Sequence, residues 1–403
     1  MTQTPDRLRE LRRRRAIEGN IFRISPDTIA VFDADIAARI NAINFRDQEV
    51  PDPIGDLLAG RREPVSWKQI RAAWGPVLRR LTGAEAVTAL YERMDALLAQ
   101  RAGAQLDLAQ LAQEVCTYSL LPIVIDGLSD VDDARIRRDV TFGFTDLATL
   151  QPKHSRWSRL RTTATEIRAG FVVRAELRGR ARGRRDRRAD LTDPLVDLLP
   201  TVGYGRAVDA VTALLTAIAG PPGAIGACLL FAMHRHREWT EHLQAELAQV
   251  PQTGLHAPAA TPITTRFVKE ALRMWSPPLL LARTARISIS VPPVELSAGQ
   301  TYVVSPHLIH RDPARWERPE QFDPQRWLAR SPGLSAGYLP FGLPPKTCPG
   351  AALGTVQLIA LCHLLCTRYR IDWADSARPP EIALGAVAVP VNLFGTVRPV
   401  TRT

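Results

Sequence analysis

Apolar residues recur at helical spacing through most of the chain and alternate with polar residues only in short stretches. Arg7 to Arg15 is basic and helix-prone. Ile21 to Phe32 alternates around Asp27, the pattern of a small hairpin, and Asp33 to Ala42 reads as a helix. A loop rich in Pro and Gly, Pro51 to Pro64, leads into Ser66-Trp67-Lys68-Gln69-Ile70-Arg71, from which helical periodicity runs to about Arg188. Asp190 to Leu199 follows, then a long helix from about Val208 to His236. Ile287 to Val304 is rich in β-formers between Pro and Gly turns, and Ile382 to Val400 is β-like around Pro390 and Gly395. The pattern predicts a mainly α fold with a small β region. No internal repeat interrupts it.

The stretch Val211 to Met233 carries no charge, and as a helix it would cover roughly 35 Å, enough to span a bilayer. Gly220-Pro221-Pro222-Gly223 breaks its centre, and a helix buried on most sides is uncharged for the same reason as a membrane span. We read it as a buried helix and expect no membrane segment.

With 403 residues the chain can bury a large core. Its 52 basic residues, nearly all Arg, outweigh 41 acidic ones for a net charge of +11. Nucleic-acid binding is not expected, because the charge forms no recognition helix and no aromatic residues alternate with it. The densest run, Arg178 to Arg188, is expected to be a solvated loop. Five cysteines without paired spacing, and no recognisable signal peptide, form no disulfide framework, so a reducing cytoplasm is the expected location. Cys116, Cys228, Cys362 and Cys366 lie in apolar helical patterns and are expected in the core.

Cys348 stands apart. It lies in Phe341-Gly342-Leu343-Pro344-Pro345-Lys346-Thr347-Cys348-Pro349-Gly350, with a basic residue two before it, a glycine two after it and a helix-compatible apolar run from Ala351. Backbone N–H groups of a tight turn and the start of a helix stabilise negative charge on sulfur, as a metal-bound thiolate requires. Phe341 would shield such a site from water, and Gly350 would let the backbone pass close to a flat ligand. Alone, the loop also describes a structural cysteine in a turn. Upstream, Glu270 and Arg273 in Lys269-Glu270-Ala271-Leu272-Arg273 are three apart and can pair on one helix face. Between the two lies Pro319-Glu320-Gln321-Phe322-Asp323-Pro324-Gln325-Arg326-Trp327, preceded by His310-Arg311-Asp312-Pro313.

Together these three elements resemble the cytochrome P-450 superfamily, in particular its soluble bacterial haem-thiolate monooxygenases. Its cysteine loop reads Phe-x-x-Gly-x-x-x-Cys-x-Gly, its helix Glu-x-x-Arg, and its intervening segment Pro-x-x-Phe-x-Pro-x-Arg. One position differs: Pro344 stands where the loop has its internal glycine. The resemblance implies a triangular, mainly α domain over residues 1–403, haem b as cofactor, Cys348 as axial ligand of its iron, and a Glu270–Arg273–Arg326 network bracing the loop. It implies that Trp67 and Arg71, Arg283 and Lys346 meet the haem propionates. It also implies a substrate cavity lined by Pro51–Ser66, Phe142–Leu150, the central helix, Leu279–Leu281 and the turn at Leu393-Phe394. Electrons would come from a ferredoxin or flavodoxin docking near Lys68, Arg79 and Arg80.

The central helix departs from the family. Most members carry an acid and an alcohol there that relay protons to dioxygen, whereas either alignment places two of Gly220, Pro221, Pro222 and Gly223 at those positions. Thr216 is the nearest hydroxyl. The expected function is oxidation of a small organic molecule in specialised metabolism, by hydroxylation or by coupling or desaturation. Peroxide-dependent oxidation and a non-catalytic haem-binding role remain alternatives.

Overall fold

The computed structural model describes residues 4–46, 67–148, 156–329, 337–375 and 378–400. Its helices are α1 (Thr4–Glu18), α2 (Ala34–Asn44), α3 (Trp67–Leu81), α4 (Ala84–Arg101), α5 (Leu108–Val124), α6 (Asp130–Ala148), α7 (Arg156–Ala181), α8 (Asp193–Ala219), α9 (Pro221–Arg235), α10 (Arg237–Leu247), α11 (Pro262–Trp275), the single turn α12 (Pro306–Ile309) and α13 (Ala351–His363). Strands β1 (Ile21–Ser25) and β2 (Thr28–Val31) form the predicted antiparallel hairpin around Asp27. Asp33 caps α2 by accepting from the N–H groups of Asp35 and Ile36, so this helix starts where the sequence places it.

β7 (Thr301–Val304) joins β2 in parallel, and β4 (Leu281–Thr284) completes a sheet of order β1-β2-β7-β4. The chain's tail supplies β11 (Phe394–Pro399), which lies between β3 (Gln105–Asp107) and β8 (Tyr369–Trp373). Two hairpins, β5–β6 (Ile289–Val291 and Val294–Leu296) and β9–β10 (Glu381–Leu384 and Ala388–Val391), account for the remaining strands described. Helices dominate and the sheets stay small, as the periodicity predicts.

The interior is one continuous apolar cluster that runs from Leu8 to Val397 and includes faces of α5, α9, α11 and α13. α5 lies along α9 at close range because two glycines one turn apart face it. A Cβ on Gly223 would fall 2.6 Å from Gln113 Cα, and one on Gly226 would fall 2.8 Å from Cys116 Sγ. The runs Asp193–Arg235 and Ala351–Arg368 are long and apolar enough to cross a membrane, yet most of each is buried inside the protein. The uncharged centre of the first is therefore a core helix, in keeping with the sequence reading.

The arginine run departs from expectation at Arg180. Arg180 is fully buried, donating to Asp190 at 2.7 and 2.8 Å and to Glu176 at 2.8 Å. Arg185 also pairs with Glu176, and Arg187 bridges Asp193 and Asp197 at 2.7 and 2.8 Å. Arg178 and residues 181–188 are exposed, as expected of a solvated loop. The acids that make this a staple between α7 and α8 flank the run, so a local charge count hides them.

Candidate functional site

Cys348 follows a loop whose turn is set by Gly342, at φ +83°, a left-handed conformation that favours glycine. The Cys348 N–H donates to the Phe341 carbonyl at 2.8 Å, closing the loop, and Gly350 caps α13 just beyond it. Cys348 is exposed, whereas Cys116, Cys228 and Cys362 are buried and Cys366 is half-buried. Desolvation by the walls of the loop raises the Cys348 thiol overall, with the Gly350 N–H and the Arg71 guanidinium pulling against it. No such opposing pull acts on Cys116, Cys228 or Cys366, where burial alone raises the thiol.

The loop carbonyls are held from the side. Asn41 on α2 donates its amide to Leu343 at 3.1 Å and to Pro344 at 2.7 Å. Tyr302 on β7 orients that amide by donating to Asn41 Oδ1 at 3.2 Å, and Asn44 in turn donates to the Tyr302 hydroxyl. Arg71 takes the next carbonyls, Pro345 at 3.2 Å and Thr347 at 2.9 Å. Proline at 344 offers no N–H, and the neighbouring helix binds its carbonyl instead.

A second brace lies behind the loop. Glu270 and Arg273 are both fully buried on α11 and meet in a two-bond pair at 2.8 and 3.0 Å. Arg326 adds a bond to Glu270 at 3.0 Å, as the sequence implies. Trp327 Nε1 and the Asp323 N–H complete the carboxylate's shell at 3.1 and 2.9 Å. His310 carries this brace to the loop: its Nδ1 meets the Arg273 carbonyl at 2.9 Å, and its Nε2 accepts the Leu339 N–H at 2.7 Å. The first contact requires a proton on Nδ1 and the second forbids one on Nε2, so the ring works as the neutral tautomer. Burial pushes His310 down to about 3.

The residues expected at the haem propionates fall in several places. Trp67 and Arg71 sit one turn apart at the start of α3, with Trp67 against Trp74 at 6.1 Å. Arg283 lies on β4 opposite Tyr302 and donates to the Ala282 carbonyl at 3.1 Å. The Lys346 ammonium lies over the rings of Phe45 and Trp67, at 5.3 and 5.9 Å. Lys68, Arg79 and Arg80 are exposed on α3. Of the expected cavity walls, Leu279 and Leu393 are buried, Leu280 and Leu281 half-buried and Phe394 exposed. Pro51–Ser66 and the end of Phe142–Leu150 lie outside the described residues.

The residues fit a haem. Among those described, no group of three or more His, Cys, Asp or Glu converges as a metal cage, a setting that suits an iron held in a chelate of its own. Cys348 is the exposed cysteine and Arg71 lies beside it; among the described residues Arg71 and Arg283 bind backbone carbonyls and have no carboxylate partner. A flat, doubly acidic chelate whose iron would take the Cys348 sulfur and whose acids would meet these cations matches that set.

The central helix breaks where the prolines predict. α8 ends at Ala219, Gly220 leaves helical geometry at φ −120° and ψ −62°, and Pro221 and Pro222 open α9. Neither an acid nor an alcohol occupies the break. Ala213, Thr216 and Ala217 form the exposed face leading to it, and Thr216 spends its hydroxyl on the Thr212 carbonyl at 3.0 Å.

The family model described as Cytochrome P450 matches residues 226–394. The chain is 34% identical to cyclooctatin synthase of Streptomyces melanosporofaciens over 27% of this chain and 24% of that protein. It is 41% identical to zealexin A1 synthase of Zea mays over 26% and 21%. It is 29% identical to sterol 14alpha-demethylase of Mycolicibacterium vanbaalenii over 54% and 51%. The aligned segments thus span from about a fifth to about half of these relatives' lengths. A zebra fish cytochrome P450 solved with progesterone shares the fold over 97% of this chain and 99% of that one, with a TM-score of 0.80 at 18% identity. The haem domain of cytochrome P450DA covers 99% and 94%, with a TM-score of 0.74.

His310 generates a pH dependence. Its folded value lies below the ordinary 6.5, so the unfolded chain binds the extra proton first. The stabilisation is complete above about pH 6.5 and is lost as pH falls toward 3, at roughly 1.4 kcal/mol per pH unit. Urea unfolding of the wild type and His310→Gln between pH 6 and 4 should show a shallower loss in the variant by about that slope; equal slopes would contradict the neutral, buried ring.

Proposed function

We propose, from the premise that the chain belongs to the cytochrome P450 superfamily, that it is a haem-thiolate monooxygenase acting on a small organic molecule in specialised metabolism. The observation that carries this reading is Cys348: the exposed cysteine, on a closed loop at a helix start, between the Gly350 N–H and Arg71. Haem b supplies the iron centre at which dioxygen is activated. Cys348 contributes the thiolate whose electron density favours O–O cleavage. Trp67, Arg71 and Arg283 bind the propionates, and Lys346 adds a point charge beside Trp67. The Glu270–Arg273–Arg326 network, through His310, fixes the loop so that the sulfur keeps its place.

Similarity to proteins named as synthases and a demethylase supports an oxidative tailoring step. The buried or half-buried Leu279, Leu280, Leu281 and Leu393 suit a hydrophobic or mixed substrate. We take residues 1–403 as one haem domain, cytoplasmic, and served by an acidic ferredoxin or flavodoxin. Lys68 and Arg79, three turns apart on one exposed face of α3, favour such a donor. The missing acid–alcohol pair favours a reaction in which the substrate's own polar group assists proton delivery, with coupling or desaturation as outcomes beside hydroxylation.

Two experiments test the reading. The reduced, CO-bound protein should show the strongly red-shifted Soret band of thiolate haem, lost in Cys348→Ser and kept in Cys362→Ser; an imidazole-type spectrum in the wild type would end the assignment. A metabolite panel scored by Soret shift should then yield a substrate whose oxidation requires ferredoxin and reductase. Removal of its hydroxyl, amine or acid should uncouple turnover. Efficient hydrogen peroxide-driven turnover with a negligible donor-supported rate would instead establish a peroxygenase.

A further inference from the structure

Two carbonyls at the end of α8 are served by another helix. In a continuous helix Ile218 O would accept from residue 222 and Ala219 O from residue 223, but Pro222 has no N–H. The ladder resumes with the Ala224 N–H on the Gly220 carbonyl at 3.0 Å. Across the break, Thr117 of α5 donates its hydroxyl to Ile218 O at 3.1 Å, and Gln113, one turn earlier, donates its amide to Ala219 O. The second amide hydrogen of Gln113 goes to Thr117 Oγ1 at 2.8 Å. The amide orientation is fixed by this arrangement, since turning it would set one carbonyl oxygen against another.

Both amide hydrogens are therefore committed, and the Gln113 side-chain carbonyl is left. It is buried and has no hydrogen-bond partner among the described residues, and it lies against Gly223, where a Cβ would overlap it. A buried carbonyl left without a donor is destabilising, so such groups are nearly always met by protein or by water. A second acceptor lies at the same break: Pro221 removes the helical donor to the Ala217 carbonyl. Ala217 belongs to the exposed face with Thr216.

We propose that Gln113 is a positioning residue that seats a water molecule at the break, donating to Gln113 Oε1 and to the Ala217 carbonyl. That water supplies, from the neighbouring helix, the proton-carrying group that the central helix lacks in its own side chains. Thr117 and Gln113 hold the break open, and Gly223 makes room for the amide. The inference rests on the monooxygenase reading, and it makes substrate assistance a second contributor to proton delivery.

The test uses the full chain loaded with haem, as wild type, Gln113→Leu and Gln113→Glu. A crystal structure of the wild type should show a water within hydrogen-bond distance of Gln113 Oε1, absent from Gln113→Leu. With the compound giving the largest Soret shift and a ferredoxin–reductase pair, product formed per electron consumed should fall on the order of tenfold or more in Gln113→Leu. The red-shifted CO band and hydrogen peroxide-driven turnover should stay, because peroxide brings its own protons. Gln113→Glu, which keeps an acceptor oxygen, should restore coupling. A wild-type structure with no water at Oε1, or a Gln113→Leu protein that keeps wild-type coupling, overturns the proposal. Absence of the CO band in the wild type would sink the monooxygenase reading instead, and the crystallographic result would still decide the water. Should Gln113→Leu not load haem, that same crystallographic result decides alone.

Discussion

Glu270 and Arg273 lie without solvent contact in the interior, and burying two opposite charges is favourable only when every donor and acceptor around them is met. Here they are. The carboxylate accepts from Arg273, Arg326, Trp327 Nε1 and the Asp323 N–H, while the guanidinium serves Glu270 and the carbonyls of His310, Pro319 and Gln321. The pair thereby ties α11 to the turns and short 3-10 helix of residues 310–327, and His310 passes that fixed geometry to Leu339 just before the cysteine loop. Removing one member would strand the other, at a cost of about 3–5 kcal/mol. The loop can hold an exposed sulfur because the structure behind it cannot relax.

Asn41 and Arg71 bind the loop carbonyls of Leu343, Pro344, Pro345 and Thr347, holding a stretch whose prolines offer no N–H of their own. The same physical solution recurs at the central helix. There Pro222 removes the donor to the Ile218 carbonyl, which Thr117 on a neighbouring helix replaces, while Gln113 serves the adjacent Ala219 carbonyl. In both places a backbone irregularity written locally in the sequence is offset by side chains that arrive from far along the chain.

That contrast marks what was legible. The helix–strand alternation, the Asp27 hairpin, the break at Gly220 and the Glu270–Arg273–Arg326 set could be read directly, because each depends on short spacing or on a motif. Asn41, Tyr302, His310 and Gln113 could not, since each acts through a bond to a backbone group many residues away, and nothing in their neighbours signals it. Lys346 stands over the Phe45 and Trp67 rings, contacts no spacing rule foresees. The arginine run is the exposed loop its composition suggests, but the buried pairing of Arg180 stayed hidden for a related reason: the acids flank the run at Glu176, Asp190, Asp193 and Asp197, outside any charge count within it.

The account stands or falls on the sulfur that this frame holds in place. Iron K-edge X-ray absorption of the haem-loaded chain reads the iron's own neighbours without relying on turnover. One sulfur scatterer beside the four porphyrin nitrogens, lost in Cys348→Ser and unaffected by Cys366→Ser, is the predicted result. An iron bound by nitrogen and oxygen alone, or a sulfur signal that survives Cys348→Ser, would contradict it.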